Sequence, residues 1–590
     1  MRLTFKVTAV GLLLTIAVSL LSLRKPDDKP TQQIQQQLIR QSDSLLKAIG
    51  LLRSTPFDIA HKRLLQERFK QLRLSYKRVE WAVEYFDPLT TRLINGPPVP
   101  EAELNGLIIQ PDGLQVIEQD IYPHIDISKK RQILGLLSRL TANTKTFQDN
   151  FKHADLQDWQ ILDAAKQQVF RVEQLGLNDF DDPLLRNCFA ESAVSLRSVQ
   201  EVVHHYDSSI DFSASIRYLI QVAGFDHFDR AAFITRYANP LTRQIAQLHN
   251  RLNLSELRYN RLLSQNAATL FDANAYNRNA FIESPADSAT TQKIALGKKL
   301  FFDPILSGNG ARSCATCHQP NKAFTDGLPK NLDITGRKLV ARNTPTLINA
   351  ALQPAQFYDL RASSLEDQAN DVIDNKDEMH GDMRVAIGKL WRNDEYRKLF
   401  DQAYHIDKRT AIDTFEVMNA LASYVRSLTA LNSRFDEYMR GNSKALTLAE
   451  INGFNLFMGK AKCSTCHYMP LFNGALPPRY MQIEAEVIGV PKSKSSKQVD
   501  PDPGTHGIQP LDFNKHAFKV TTVRNAARTA PYMHNGIYKS LAEVVDFYNK
   551  GGGAGMGIKL PNQTLPTDQL HLTIKEKGEL VAFIKSLDSN

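Results

Sequence analysis

An unbroken apolar run from Val7 to Leu23, preceded by Arg2 and Lys6, opens the chain, and spaced apolar positions replace it after Asp27. The run has the make-up of an export signal and the length of a short membrane span, so residues 1–25 read as a signal peptide or a membrane anchor. No cysteine stands there to accept lipid. Beyond it, Leu65, Phe69, Leu72, Tyr76, Val79, Val83 and Phe86 recur at alternating steps of four and three, which predicts one apolar stripe on a helix. "ILGLLSRL" and "SAVSLRSVQEVVHHY" read the same way, so residues 26–265 predict a helical bundle of facing stripes. The pattern then breaks into Asn, Ala and Ser, and residues 266–288 read as a linker. Two further units follow, 289–435 and 436–590. The first opens with a short helix in "ALGKKLFF" and a Gly/Pro/Asn-containing turn, the second with a helix over Leu448–Met458. Within the second, "KSKSSKQVDPDPGTHG" reads as an exposed loop.

Composition changes this picture little. A chain of 590 residues outgrows one core, and 42% hydrophobic with 23% charged residues is an ordinary globular composition. The net charge of +9 carries no dense Lys/Arg stripe interleaved with aromatics, which argues against nucleic acid as a partner.

The five cysteines change it more. Four fall in two copies of C-x-x-C-H, "CATCH" at 314–318 and "CSTCH" at 463–467, the signature for covalent attachment of a c-type haem. Two thiols reach the two vinyl groups on one porphyrin edge, and the next residue turns an imidazole onto the iron. Cys314, Cys317 and His318 thus predict one haem, and Cys463, Cys466 and His467 a second. A zinc ribbon pairs its C-x-x-C units across a much shorter interval, and a thioredoxin-like pair needs a βαβ context that neither motif has. Cys188, in the helical half, reads as a small buried apolar side chain, and His204 and His205 as helix-end or surface residues.

Whether such a haem only moves electrons or also binds a small oxidant depends on its far axial position. Between His318 and Met379 there is no histidine or methionine; Met379 and His380 in "NKDEMHGDM" are the nearest candidates, beside Glu378. A carboxylate next to an open iron is what peroxide cleavage requires, although the loop holds several acids and spacing alone does not single out Glu378.

From Ala295 to the C-terminus the chain resembles the bacterial dihaem cytochrome c peroxidases and the related dihaem enzyme of methylamine utilisation. The likeness rests on "LGKKLFFDPILSGNGARSCATCHQPNKAFTDG", "ARNTPTLINAA", "FYDLRASSLEDQA", "DEMHG", "GKAKCSTCH" and "FKVTTVRNAARTAPYMHNG", which stand in that family's order. Joined to the bundle read from the stripes, the resemblance implies a mainly α protein, an N-terminal helical bundle followed by two cytochrome c-type haem domains. It implies that Gln368 and Glu378 match the distal glutamine and catalytic glutamate, and that Tyr358 takes the place of a tryptophan between the haems. Asn343, with the carbonyls of Thr529 and Pro531, matches a calcium site, a donor set suited to that ion.

Two departures from the family pattern stand out. The loop "LPKNLDITGRKLVARN" lacks the histidine that caps the first haem in the classical peroxidases, so this haem is expected to be open without reductive activation. At the far axial position of the second haem, where the peroxidases carry methionine, stands Tyr548, the ligand type of the methylamine-utilisation enzyme; Met556 in "GGGAGMG" is the alternative. The implied function is reduction of hydrogen peroxide at the first haem, in the periplasm, free or tethered to the inner membrane. Electrons would come from a small donor protein, a cytochrome c or a cupredoxin. The alternatives are oxidation of a partner protein or small molecule, and a dihaem electron carrier without turnover.

Overall fold

The computed structural model describes residues 29–102, 106–221, 224–257, 260–406 and 411–589. The expected signal or anchor at 1–25 lies outside the described residues, and no helix among those described is long and apolar enough to cross a membrane. The architecture is mainly α: an N-terminal helical bundle followed by two small helical domains, and among the described residues the strands are two-residue pairs only.

In the bundle, the predicted stripe is buried from Leu65 through Tyr76 on the helix Lys62–Lys77 and continues onto the helix Glu80–Phe86. The turn at Arg78 and Val79 keeps near-helical dihedrals, so the apolar face stays aligned although the hydrogen-bond ladder is interrupted. The same face also buries charge. Lys77 Nζ lies 2.6 Å from both Glu80 and Asp181, Arg171 grips Asp181 through both terminal nitrogens at 2.8 and 3.0 Å, and Arg73 Nε lies 2.6 Å from Glu191. Buried ion pairs of this kind add little net stability, but they penalise any packing that separates them. Cys188 is buried at the start of its helix, and His204 closes the same helix with its ring 2.9 Å from the Ile210 carbonyl.

The two following domains are built alike. In the first, the helices Thr291–Phe302 and Thr414–Ser427 cross at Gly297, where a Cβ would sit 1.8 Å from the Ala420 carbonyl oxygen. In the second, Leu448–Met458 and Ile574–Ser586 cross at Gly453, where a Cβ would sit 2.0 Å from the Glu579 carbonyl oxygen. Only glycine permits backbones this close. The repeat extends further: Asn349 in "INAAL" and Asn525 in "RNAAR" both adopt left-handed dihedrals and lead into a 3-10 turn.

The first of these domains has its own core, around Leu296, Leu300, Leu390, Phe400 and Val417. The second shares a single continuous core with the N-terminal bundle, in which Phe435, Phe454, Phe472 and Phe583 form a ring cluster. The segment read as a linker packs into this shared core through Ala267, Leu270, Phe271 and Tyr276. Buried Lys166 fastens it by donating to the Gln265 and Ala267 carbonyls. The loop expected to be wholly exposed is so over residues 492–495 and at Lys497 and Gln498. Further along, Asp500 is buried and Asp502 half-buried, because Asn535 donates to the first and Arg342 to the second.

Gly388, inside the helix Met383–Arg392, offers a control for Gly297, since a Cβ there meets nothing within 4 Å. Gly297→Ala is expected to lower stability by about 1–3 kcal/mol through overpacking. Gly388→Ala is expected to raise it by about 0.5–1 kcal/mol through helix propensity. Thermal unfolding of the two variants beside the parent checks the opposite signs.

Candidate functional site

Each C-x-x-C-H motif is held by a local turn that the sequence encodes. Ser313 caps the one-turn helix Cys314–Cys317, its N–H donating back to Thr316 Oγ1 at 3.1 Å, so the two thiols lie three residues apart on one face. The chain then leaves the helix at His318. Residues 319–325 fold back, with Ala323 and Phe324 at positive φ, and the Phe324 carbonyl comes 2.9 Å from His318 Nδ1. That contact assigns the proton to Nδ1 and leaves Nε2 as the ligating nitrogen. Burial pushes this imidazole below its ordinary range.

The second motif folds back in a similar way, although His467 Nδ1 makes no hydrogen bond among the described residues. Lys462, in a left-handed conformation, opens the turn Cys463–Thr465, and the Tyr468–Asn473 turn brings the Phe472 carbonyl toward His467. Burial pushes His467 down to about 4, so it too is a neutral ring. None of the described cysteines is in a disulfide. Burial raises the Cys314 and Cys463 thiols to about 12 and that of Cys317 to about 11, and that of Cys466 goes up further beside Glu486, whose Oε1 lies 3.8 Å away.

One cavity of about 2070 Å³ is lined by both motifs. Four free thiols in two i,i+3 pairs, each followed by a neutral imidazole with one nitrogen available, form the donor set that two covalently attached haems require, and the cavity receives all of it. The other sequence-predicted residues line the same space: Gln368, Glu378, Tyr358, Tyr548, Asn343, Thr529 and Pro531. Met556 does not line it; its turn lies outside, with the carbonyl accepting from Lys497. Tyr548 is inside, where burial pushes its phenol above the ordinary range. His380 is exposed and outside the cavity, whereas Met379 is buried in the first-domain core and reaches its wall.

Gln368 projects from the helix Leu365–Asp374, and Glu378 follows in the next loop. Asn375 Nδ2 holds Glu378 Oε1 at 2.8 Å, and Arg312 holds its carbonyl at 3.3 Å. Burial keeps the Glu378 carboxyl above the usual range, with Arg361 and Arg312 acting against it. Tyr358 sits where the two domains meet: its carbonyl accepts from Lys519 N–H at 2.7 Å and its hydroxyl lies 3.4 Å from Asn343 Oδ1. Asn343 N–H in turn donates to the His534 carbonyl at 2.7 Å, and the His534 ring stacks on Phe518 at 3.7 Å.

Sequence reasoning missed the contribution of the N-terminal bundle. Asn178, fully buried, donates at 3.1 Å to Ser464 Oγ, inside the second C-x-x-C, and Gln174 donates at 2.6 Å to the Met469 carbonyl. Arg92 and Glu101, an ion pair of the bundle, line the cavity with Glu484 and Glu486. No spacing rule joins residue 178 to residue 464, so no sequence signal could have found this.

The di-haem cytochrome c peroxidase family model matches residues 291–444. The cytochrome-c peroxidase IdrP2 of Pseudomonas sp. (strain SCT) is 32% identical over 52% of this chain and 84% of its own length. The methylamine utilization protein MauG of Methylorubrum extorquens is 33% identical over 51% of this chain and 80% of its own length. Among solved structures, a MauG-like protein associated with microbial copper homeostasis aligns with a TM-score of 0.47 and 27% identity over 52% of this chain and 94% of that one. With two haem-attachment motifs on one cavity and this extent of alignment to relatives named both peroxidase and MauG, the chain belongs to the di-haem cytochrome c peroxidase family of oxidoreductases and carries an additional N-terminal helical region.

Proposed function

We propose that the protein reduces hydrogen peroxide to water at the haem carried by Cys314, Cys317 and His318, with electrons delivered through the haem carried by Cys463, Cys466 and His467. The observation that carries this reading is the presence of Glu378 and Gln368 in the cavity that also receives His318, with Glu378 fixed by Asn375 and held above the ordinary carboxylate range. A c-type haem with one open axial face supplies an iron that binds and reduces a small oxidant. Glu378 takes the proton from the near oxygen of hydrogen peroxide and returns it to the far oxygen, which departs as water. Gln368 holds the peroxide by hydrogen bonding, and Tyr358 carries electrons across the seam between the domains. Two electrons and two protons per peroxide balance the reaction.

On this reading residues 1–25 direct export to the periplasm, 26–265 form an added helical domain joined by 266–288, 289–435 form the peroxidatic domain and 436–590 the electron-transfer domain. A calcium ion between Asn343 and the carbonyls of Thr529 and Pro531 would brace the seam. The donor is a small cytochrome c or cupredoxin. A second reading, oxidation of a partner protein or small molecule, is favoured by Tyr548 lying in the cavity while Met556 lies outside. A phenolate ligand stabilises the oxidised iron and suits storage of an oxidising equivalent.

Glu378→Gln is expected to lower peroxide turnover by roughly 10²–10⁴-fold with haem content unchanged. Because the carboxyl must be ionised to accept the first proton, parent turnover should fall as pH drops through a value above the usual carboxylate range. The variant should lack that limb; equal turnover, or an unchanged pH profile, removes Glu378 from the mechanism. For the second haem, Tyr548→Met should raise the midpoint potential measured by spectroelectrochemistry, since thioether ligation favours ferrous iron. If Met556 were the ligand, Tyr548→Met would leave that potential in place and Met556→Leu would move it.

A further inference from the structure

Most cations on the cavity wall are matched by protein acceptors. Arg342 lies 2.6 Å from Asp359 and 2.7 and 2.8 Å from the two oxygens of Asp502, and Arg361 lies 3.0 Å from both oxygens of Asp359. Arg312 donates to the carbonyls of Glu378, Leu332 and Asp333. Lys519 differs. It ends the short strand Phe518–Lys519, whose backbone joins the first haem domain at the Tyr358 carbonyl, and its side chain lines the shared cavity. An ammonium has three protons to place. Among the described residues its one hydrogen bond is to the Ala355 carbonyl, at 3.3 Å, and it has no ion pair. Asp359, the carboxylate whose charge reaches it, is already held by two guanidinium groups. Burial pushes the ammonium down to about 8. A cation so enclosed is costly unless an anion joins it.

We propose that Lys519 forms a carboxylate-binding subsite in the seam between the two haem domains, and that its occupant is a propionate of one of the two haems held in the same cavity. The chemistry fits on both sides. A porphyrin anchored by its vinyl groups to a C-x-x-C pair carries two propionates on the opposite edge, away from the cysteines. Lys519 belongs to neither motif and stands where the domains meet. Its charge would favour the reduced, less positive haem and so raise that haem's potential, which makes it a positioning and tuning residue and not a proton donor to peroxide. The proposal rests on the two haems of the reading above and not on the peroxide chemistry.

The test uses the full-length holoprotein with Lys519→Met and Lys519→Arg. Covalent haem is counted first, by the pyridine haemochrome spectrum, which tests the dihaem reading separately. Both midpoint potentials are then measured by spectroelectrochemistry. The expected result is that Lys519→Met shifts the reduction equilibrium of one haem toward the ferric form by about tenfold, or 59 mV for one electron, while Lys519→Arg stays near the parent. Loss of haem loading in Lys519→Met with full loading and near-parent potentials in Lys519→Arg also supports the subsite. Failure of both variants to load haem, or unchanged potentials in Lys519→Met, overturns it. A shift of the parent's potentials on addition of millimolar succinate would also overturn it, because the subsite would then be taking a diffusible carboxylate.

Discussion

A carbonyl oxygen less than 2 Å from where a Gly297 side chain would begin sets the geometry on which the first haem domain depends. The two helices touch backbone to backbone, which fixes their crossing and aims the end of Thr291–Phe302 at the turn that delivers Cys314. Gly453 does the same for the second domain, and the helix it sits on runs directly into Lys462 and Cys463. Both attachment motifs therefore inherit their positions from a helix contact that tolerates no added carbon. The two domains meet at a seam where Asn343 N–H donates to the His534 carbonyl and Lys519 N–H to the Tyr358 carbonyl, and the shared cavity opens along it.

Within that frame, desolvation is the dominant electrostatic effect, and it acts on each group in the direction its chemistry needs. Enclosed imidazoles stay neutral and so remain able to ligate, and enclosed thiols keep their protons and form no disulfide among the described residues. The same effect lifts the Glu378 carboxyl above its ordinary range. Two guanidiniums, on Arg361 and Arg312, limit the lift.

How much of this was legible in the sequence depended on whether a feature is local. The motifs, the helices that precede them, and the apolar stripe from Leu65 to Val83 are all set by spacing within one or two turns, and spacing was enough to find them. The stripe's turn at Arg78 was not visible, since the apolar residues keep their period through it. The exposed-loop expectation held at residues 492–495 and at Lys497 and Gln498 and failed at Asp500 and Asp502, because Asp502 is gripped by Arg342, 160 residues earlier in the chain, and Asp500 by Asn535, 35 residues later. The likeness between "INAAL" and "RNAAR", each starting from a left-handed asparagine, could have revealed the repeat of the two haem domains.

The N-terminal bundle was the part least accessible to sequence reasoning, and its role follows from its core. A bundle that served only as a spacer would bury its own stripes and meet the haem domains through a small polar surface. Here the apolar core runs without a break from Ile34 to Leu587, and the chain from 264 to 276 is stitched into it. Fully buried Asn178 reaches past that core to Ser464, between the two cysteines of the second motif. Removing the bundle would expose the wall of the second haem site and take from Ser464, Met469 and Tyr480 the hydrogen bonds that Asn178 and Gln174 now donate to them. The bundle is thus a structural part of the second site, which in turn joins the first domain through the Lys519–Tyr358 backbone hydrogen bond.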